Sequence, residues 1–354
     1  MATTEYGTNH GMAVKLWSKR LNAEVLKATW ATRFMGTSSA SIIQVKDETS
    51  KSPGDKITYG LRMQLTQAGI AGDATLQGNE EAMTTYTDAV VINQLRGAVL
   101  SSGKMSEQRV PFSVRDEAMA GLRDWWAGRI DTSFFNQLCG YTAQADTKYS
   151  GMQAIVAPDS DHILRPASGE AADESISTTS TFTLALIDKA VERARPHPPA
   201  IRPVNVDGKN FYVYFMHDYT VTDMKSSTTT GQWTDIQKAA MQGGEIKDNP
   251  IFSGALGVYN GAILHADSRV TQGVSGATGL AVTGVKRNVF CGAQAGVMGY
   301  GRESGENRYT WVEELFDYGN QLGVSAGLIF GLKKSVFNSI DYATVVTACY
   351  GAAH

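Results

Sequence analysis

The sequence predicts an α+β chain built around an extended β-ribbon and one long helix. Three observations carry this. Residues 51–109 read as two extended arms flanking a Gly-rich tip. Ser113 to Gly140 reads as an amphipathic helix, and from Asn249 onward Gly-punctuated runs suited to strands dominate.

In the first arm, Lys56-Ile-Thr-Tyr-Gly-Leu-Arg-Met-Gln-Leu-Thr66 alternates apolar and polar residues, the period of a half-buried strand. The second arm, Met83 to Val99, alternates less cleanly but is rich in Thr, Val, Ile and Tyr. Gly69, Gly72 and Gly78 mark turns in the tip between them. A two-stranded ribbon is marginal alone, so one of this length is expected to lie on something else, with a second copy of the chain the first choice.

Upstream, Val14 to Phe34 reads as a helix carrying Trp17 and Trp30, ending near Gly36. Its aromatic payload fits docking either on the chain's own core or on a neighbouring subunit. Downstream, Ser113 with Asp116 three residues on resembles a capping box. The stripe Val114, Ala118, Leu122, Trp125, Trp126, Ile130, Phe134 and Leu138 then runs about 27 residues, or ~40 Å. Tyr141 to Ser180 is a long loop with a short strand expected at Gln153–Val156. Helices follow at Phe182–Arg195, from Asp218 to Met224 and at Gln232–Met241, with a buried strand at Phe211–Met216. Further strands are expected at Gly257–His265, Lys286–Gly292, Thr310–Tyr318, Gly323–Leu332 and Tyr342–Cys349.

Composition narrows the function classes. The 354-residue chain is 42% hydrophobic and 19% charged, with net charge −3. It carries no basic footprint of a nucleic-acid reader. Arg193, Arg195 and Arg202 near His197 are interrupted by prolines and read as a structured loop, with an anion patch as the alternative. Cys139, Cys291 and Cys349 are widely spaced and lack a CxxC, which points to neither a disulfide framework nor a zinc site. The first residues have no secretory-signal pattern, and the apolar run Val324–Leu332 is too short to span a bilayer.

The chemistry of catalysis is hard to find. No two of the six histidines stand at i, i+4. Gly292-Ala-Gln-Ala-Gly296-Val-Met-Gly299 does not match a dinucleotide fingerprint, and Gly273-Val-Ser275-Gly-Ala277 lacks a nucleophile elbow's second glycine. Neighbouring Glu313 and Glu314 on a strand would point to opposite faces. His217-Asp218, after the buried strand, is the one arrangement where an active site fits, and a hydrogen-bonded turn is the competing reading. No catalytic, cofactor or metal residue is assigned.

The order of parts resembles the major capsid proteins of tailed phages, the Hong Kong 97 type. The motifs resemble the family typified by phage N-four. They are Glu5-Tyr-Gly…Ala13-Val-Lys-Leu-Trp-Ser18, Gly54-Asp-Lys-Ile-Thr58, Gly69-Ile-Ala-Gly-Asp…Leu76-Gln-Gly-Asn-Glu-Glu81, and Asn249-Pro-Ile-Phe-Ser-Gly-Ala-Leu-Gly-Val-Tyr-Asn-Gly-Ala-Ile-Leu264. The resemblance implies an N-arm over 1–50, an extended β-loop over 51–109 and a peripheral domain over 110–195 with its spine helix at 113–140. An axial domain over 196–308 and C-terminal strands over 309–354 returning to the peripheral domain complete it. It implies hexamers and pentamers in an icosahedral shell around double-stranded DNA, in a virion assembled in the host cytoplasm, with no cofactor and no membrane. A separate scaffolding protein and a portal are the expected partners, and a decoration protein is left open. The inter-subunit contacts expected are Trp17, Trp30, Ile70, Leu76, Glu80 and Glu81. An encapsulin-type nanocompartment of the same fold is the alternative, and an enzyme using His217 and Asp218 the third reading.

Overall fold

The structure, a computed structural model, describes residues 11–47, 54–61, 68–78, 80, 86–111, 113–196, 200–206, 208–226, 256–301 and 308–354. Glu81, the helix expected at Gln232–Met241, the outer parts of both ribbon arms and most of the Asn249–Leu264 motif lie outside those residues.

Helix α1 (Gly11–Ala28) stops earlier than its periodicity suggests, and a short 3-10 turn, Trp30–Phe34, takes over. The Thr29 hydroxyl donates back to the Val25 carbonyl at 2.8 Å, while the Trp30 and Ala31 amides turn outward to Asp131. These donors are lost to the helical ladder, so the helix ends. Strands β1 (Met35–Gly36), β2 (Ile43–Lys46), β3 (Lys56–Leu61), β4 (Tyr86–Val91) and β5 (Asn93–Leu100) follow. The second arm expected over Met83–Val99 is therefore two strands. β4 pairs with β3, with Lys56 opposite Val91 and Leu61 opposite Tyr86, whereas β5 leaves the ribbon after Ile92 and enters a larger sheet.

After a short helix α2 (Lys104–Gln108) comes the spine helix α3 (Val114–Leu138). Its start is as expected: the Ser113 hydroxyl accepts from the Asp116 amide, and Asp116 and Glu117 stand in the first turn. Its end is marked by Gly140, whose φ of +63° suits a residue without a side chain. Gln153–Val156 is not a strand. The short strand of this loop is β6 (Ile163–Leu164). Then come α4 (Leu184–Ala194), β7 (Val204–Val206), β8 (Lys209–Met216) and α5 (Asp218–Ser226). After them run β9 (Gly257–Tyr259), β10 (Ala262–Ala266), β11 (Gln272–Val274), β12 (Ala281–Cys291), β13 (Gly296–Tyr300) and β14 (Thr310–Phe316). The chain closes with β15 (Gln321–Lys334), β16 (Val336–Phe337), β17 (Ile340–Asp341) and β18 (Thr344–Tyr350).

Two sheets organise these strands. The first runs β1-β2-β13-β15-β14, with β5 on the other side of β15. The second runs β6-β18-β12-β8-β10-β9, with β11 on β12 and β7 on β8. The expected domain limits are crossed by this pairing. β13, within 196–308, belongs to the first sheet, and β18, expected to return to the region of the spine helix, pairs with β12 and β6 in the second. Helix α4 likewise packs on β18 and β6. The last strand is buried almost throughout, with β12 along one side and the short β6 on the other.

Candidate assembly surface

The ribbon root is seated on its own chain. Along β3 the burial alternates, with Ile57, Tyr59 and Leu61 inward, and Val90 stands opposite Ile57. The floor beneath is made of glycine. A Cβ at Gly299 would lie 2.6 Å from Ile57 Cδ1 and 3.1 Å from Val90 Cγ1, and one at Gly331 would overlap the Val91 carbonyl oxygen. Fully burying residues of these sizes is worth roughly 1.5–3 kcal/mol each. Asp88 adds a polar clamp. It accepts from Tyr59 Oη at 2.9 Å, from Lys333 Nζ at 2.5 Å and from the Val336 amide at 3.2 Å. Burial, then the Asp88 charge, raises the Tyr59 phenol well above its usual range, so it remains a donor. The expectation that the whole ribbon lacks a local support is thereby corrected for its root.

The tip is different. Ile70 and Leu76 are exposed, Leu76 by 57%, on a turn-rich segment with positive φ at Gly69, Gly72 and Gly78. Glu80 folds back to accept from the Gly78 amide at 2.7 Å, which holds the turn.

Trp17 and Trp30, read as open between two dockings, pack within the chain. Trp17 stacks on Trp311 at 5.7 Å. Trp30 sits among Phe34, Phe135, Phe215 and His265, and its amide donates to Asp131 Oδ2 at 3.1 Å. Asp131, buried on the spine helix, also accepts from the Ala31 amide at 2.9 Å and pairs with Arg269. An aromatic stripe specifies burial but not the surface that provides it.

The residues weighed for catalysis each make contacts within the chain. His217 Nδ1 accepts from the Tyr219 amide at 3.1 Å, so the ring caps the start of α5 as the turn reading has it. Glu313 is buried, bonded to Arg115 at 2.7 Å and to Trp311 Nε1 at 2.9 Å, while Glu314 on the opposite face is exposed. The arginine cluster is dispersed: Arg202 reaches Gln294, and Arg193 stands 3.8 Å from Asp161. His197 lies outside the described residues. Among the described residues no group of three or more His, Cys, Asp or Glu is placed to hold a metal. The three cysteines are free and buried. Burial raises all three thiols, Cys139 to about 11.

Two histidines make the fold acid-sensitive. Burial lowers His217 and His265 to about 4 from 6.5. Lys286 contributes to the shift at His217, and Arg33 to that at His265. The folded state thus binds protons less tightly than the unfolded chain, so stability is expected to fall as pH drops from about 6.5 towards 4. Denaturant midpoints at pH 7.5 and pH 5 check this, and a His265→Gln variant is expected to flatten the slope.

A spine helix beneath one sheet, a second sheet continuing the chain and a ribbon seated at its root with Ile70 and Leu76 exposed at its tip define a shell-building subunit of the Hong Kong 97 type. The capsid of Ralstonia phage GP4 has this arrangement, with a TM-score of 0.80 and 30% identity over 99% of each chain. The Cyanophage Pam1 capsid shares the fold, with a TM-score of 0.71 and 20% identity over 93% of this chain and 94% of that one. Over residues 5–348 the sequence matches the phage capsid protein family, and the chain belongs to it. The major capsid protein of Pseudomonas phage KPP25 is 27% identical over 92% of this chain and 90% of that protein. The function is that of a phage major capsid protein, a structural part of the virion that builds a shell with further copies of itself.

Proposed function

We propose that the subunit forms hexamers and pentamers of an icosahedral shell around double-stranded DNA and carries no catalytic activity. The observation that supports this best is the ribbon, whose root packs on its own body while Ile70 and Leu76 are exposed at the tip. Ile70, Leu76 and Glu80 are the contacts offered to a neighbour, with Glu81 adjoining them in sequence. The first sheet with α3 serves as the peripheral domain, and the second sheet with α4 and α5 as the axial domain. A net charge of −3 suits enclosure of DNA without tight retention on the inner wall. A separate scaffolding protein and a portal complete assembly in the host cytoplasm.

Deleting residues 67–82 is expected to leave a folded subunit that makes no shells. Light scattering and negative-stain imaging read the mass directly. Normal shells from the deletion would remove the ribbon tip from this account.

A further inference from the structure

Tyr259-Asn260-Gly261-Ala262, within the Asn249–Leu264 motif, holds the chain's sole Asn-Gly pair. It forms the tip of the β9–β10 hairpin, where Ala262 stands opposite Tyr259 and β9 closes one end of the second sheet. Both tip residues have positive φ, +45° at Asn260 and +76° at Gly261, as a two-residue hairpin turn of the primed type requires. Asn260 is exposed.

An Asn-Gly pair carries a chemistry of its own. The backbone nitrogen of the following residue can attack the asparagine side-chain carbonyl carbon, and glycine leaves that nitrogen uncrowded because it has no Cβ. The N–Cγ bond forms, the Cγ–Nδ2 bond breaks, and ammonia leaves with the amide proton, giving a cyclic succinimide. Water then opens the ring at either carbonyl, leaving aspartate or isoaspartate. No oxidant or reductant is consumed.

Asp188 of α4 restrains this step. Its Oδ1 accepts from Asn260 Nδ2, the group that must leave, at 2.9 Å, and its Oδ2 accepts from Tyr259 Oη at 3.0 Å. Burial, then the Asp188 bond, raises the Tyr259 phenol, so it stays a donor. The Gly261 carbonyl is pinned as well, accepting from the Tyr212 amide at 2.8 Å. Ring closure requires the Asn260 carboxamide to swing over the Gly261 nitrogen and give up a bond to a charged acceptor.

We propose that Asn260-Gly261 is a deamidation site of this chain and that Asp188 holds its conversion in check. The product reverses the contact: a donor becomes a carboxylate facing Asp188, and like charges oppose each other. Isoaspartate also adds a backbone carbon to the turn, which disturbs the pairing of Tyr259 with Ala262. Conversion is thus a slow covalent clock at the end of the second sheet, which loosens the hairpin from α4. The inference stands on these contacts and not on the shell reading, and its readout needs no assembled particle.

The test compares full-length parent, Asp188→Ala and Tyr259→Phe, each held in mildly alkaline buffer, with peptide mass mapping of conversion at position 260. Asp188→Ala is expected to convert roughly tenfold faster than the parent, the factor for losing one hydrogen bond to a charged group. Tyr259→Phe keeps the bond from Asn260 to Asp188 and is expected to convert at a near-parental rate. Asn338-Ser339, the turn between β16 and β17, has the same signs of φ but a side chain on the attacking residue, and serves as an internal reference. Its rate is expected to be the same in all three chains. Equal rates at Asn260 in parent and Asp188→Ala overturn the proposal. So does equal acceleration at Asn260 and Asn338, or in Tyr259→Phe and Asp188→Ala, since general loosening would then explain the change. Parent unfolded in denaturant sets the unrestrained rate, and native parent converting as fast as the unfolded chain also overturns it.

Discussion

Replacing Gly331 by valine is expected to unseat the ribbon root. A Cβ there would overlap the Val91 carbonyl oxygen and come within 3.0 Å of Val90 Cγ2. Neither neighbour can yield cheaply. Val91 is held in the β3–β4 ladder opposite Lys56, and the buried Val90 packs into the floor. Overpacking a close-packed site costs about 1–3 kcal/mol, and the clash falls on Val90 and Val91 at the ribbon root. The expected signature is therefore local: faster protease cleavage within 54–91 and a smaller drop in the global thermal midpoint. Gly331→Ala should show a milder form of the same pattern. A valine variant with parental cleavage in the ribbon would mean that the floor does not position it.

The second large effect is expected at Lys334. Its side chain is 0% exposed, and its ammonium stands 2.6 Å from the buried Asp341 carboxylate. The surroundings join both sheets. Lys334 ends β15 in the first sheet, the Asp341 amide donates to Asp159 at 2.7 Å, and the His162 carbonyl accepts from Val346 of β18 in the second. His162 Nδ1 meets Asp159 at 2.8 Å, which closes the cluster. Lys334→Met leaves a buried carboxylate without its cation, a loss of about 3–5 kcal/mol by chemical denaturation. Lys334→Met combined with Asp341→Leu is expected to recover most of that loss, because a well-packed apolar pair replaces a desolvated ionic one. If the double variant is as unstable as the single, the pair does more than neutralise charge, and the geometry of the junction depends on it.

Local chemistry made some parts of this fold legible and left others silent. The spine helix was readable from its apolar stripe, the Ser113 cap and Gly140, and β8 from its uninterrupted apolar run. Helix α4 was readable because Pro196 stops it. Pairing partners were not. β4 and β5 carry similar residues on either side of Ile92, yet one joins a hairpin and the other a sheet with a strand more than 200 residues away. β13 hid behind its glycines, which lower strand propensity where the structure needs room for Ile57 and Val90. Of the expected contacts, Ile70 and Leu76 were found exposed, whereas Trp17 and Trp30 were drawn inward by Trp311 and by the Phe34–Phe215 cluster. Hydrophobicity announces burial, and only the tertiary pairing tells which body supplies it. β14 and β15 were legible as strand-like runs, whereas their pairing with each other and with β5 was not.

The three buried cysteines leave the native subunit chemically quiet towards electrophiles. A thiolate is the reactive species, and all three thiols are held neutral and out of reach. A cysteine introduced at Leu76 would then be the one thiol that a maleimide dye finds, giving a fluorescent reporter at the ribbon tip without first stripping the native cysteines. The same silence separates particle integrity from the redox state of the surrounding medium, since no disulfide fastens the fold that the described residues build.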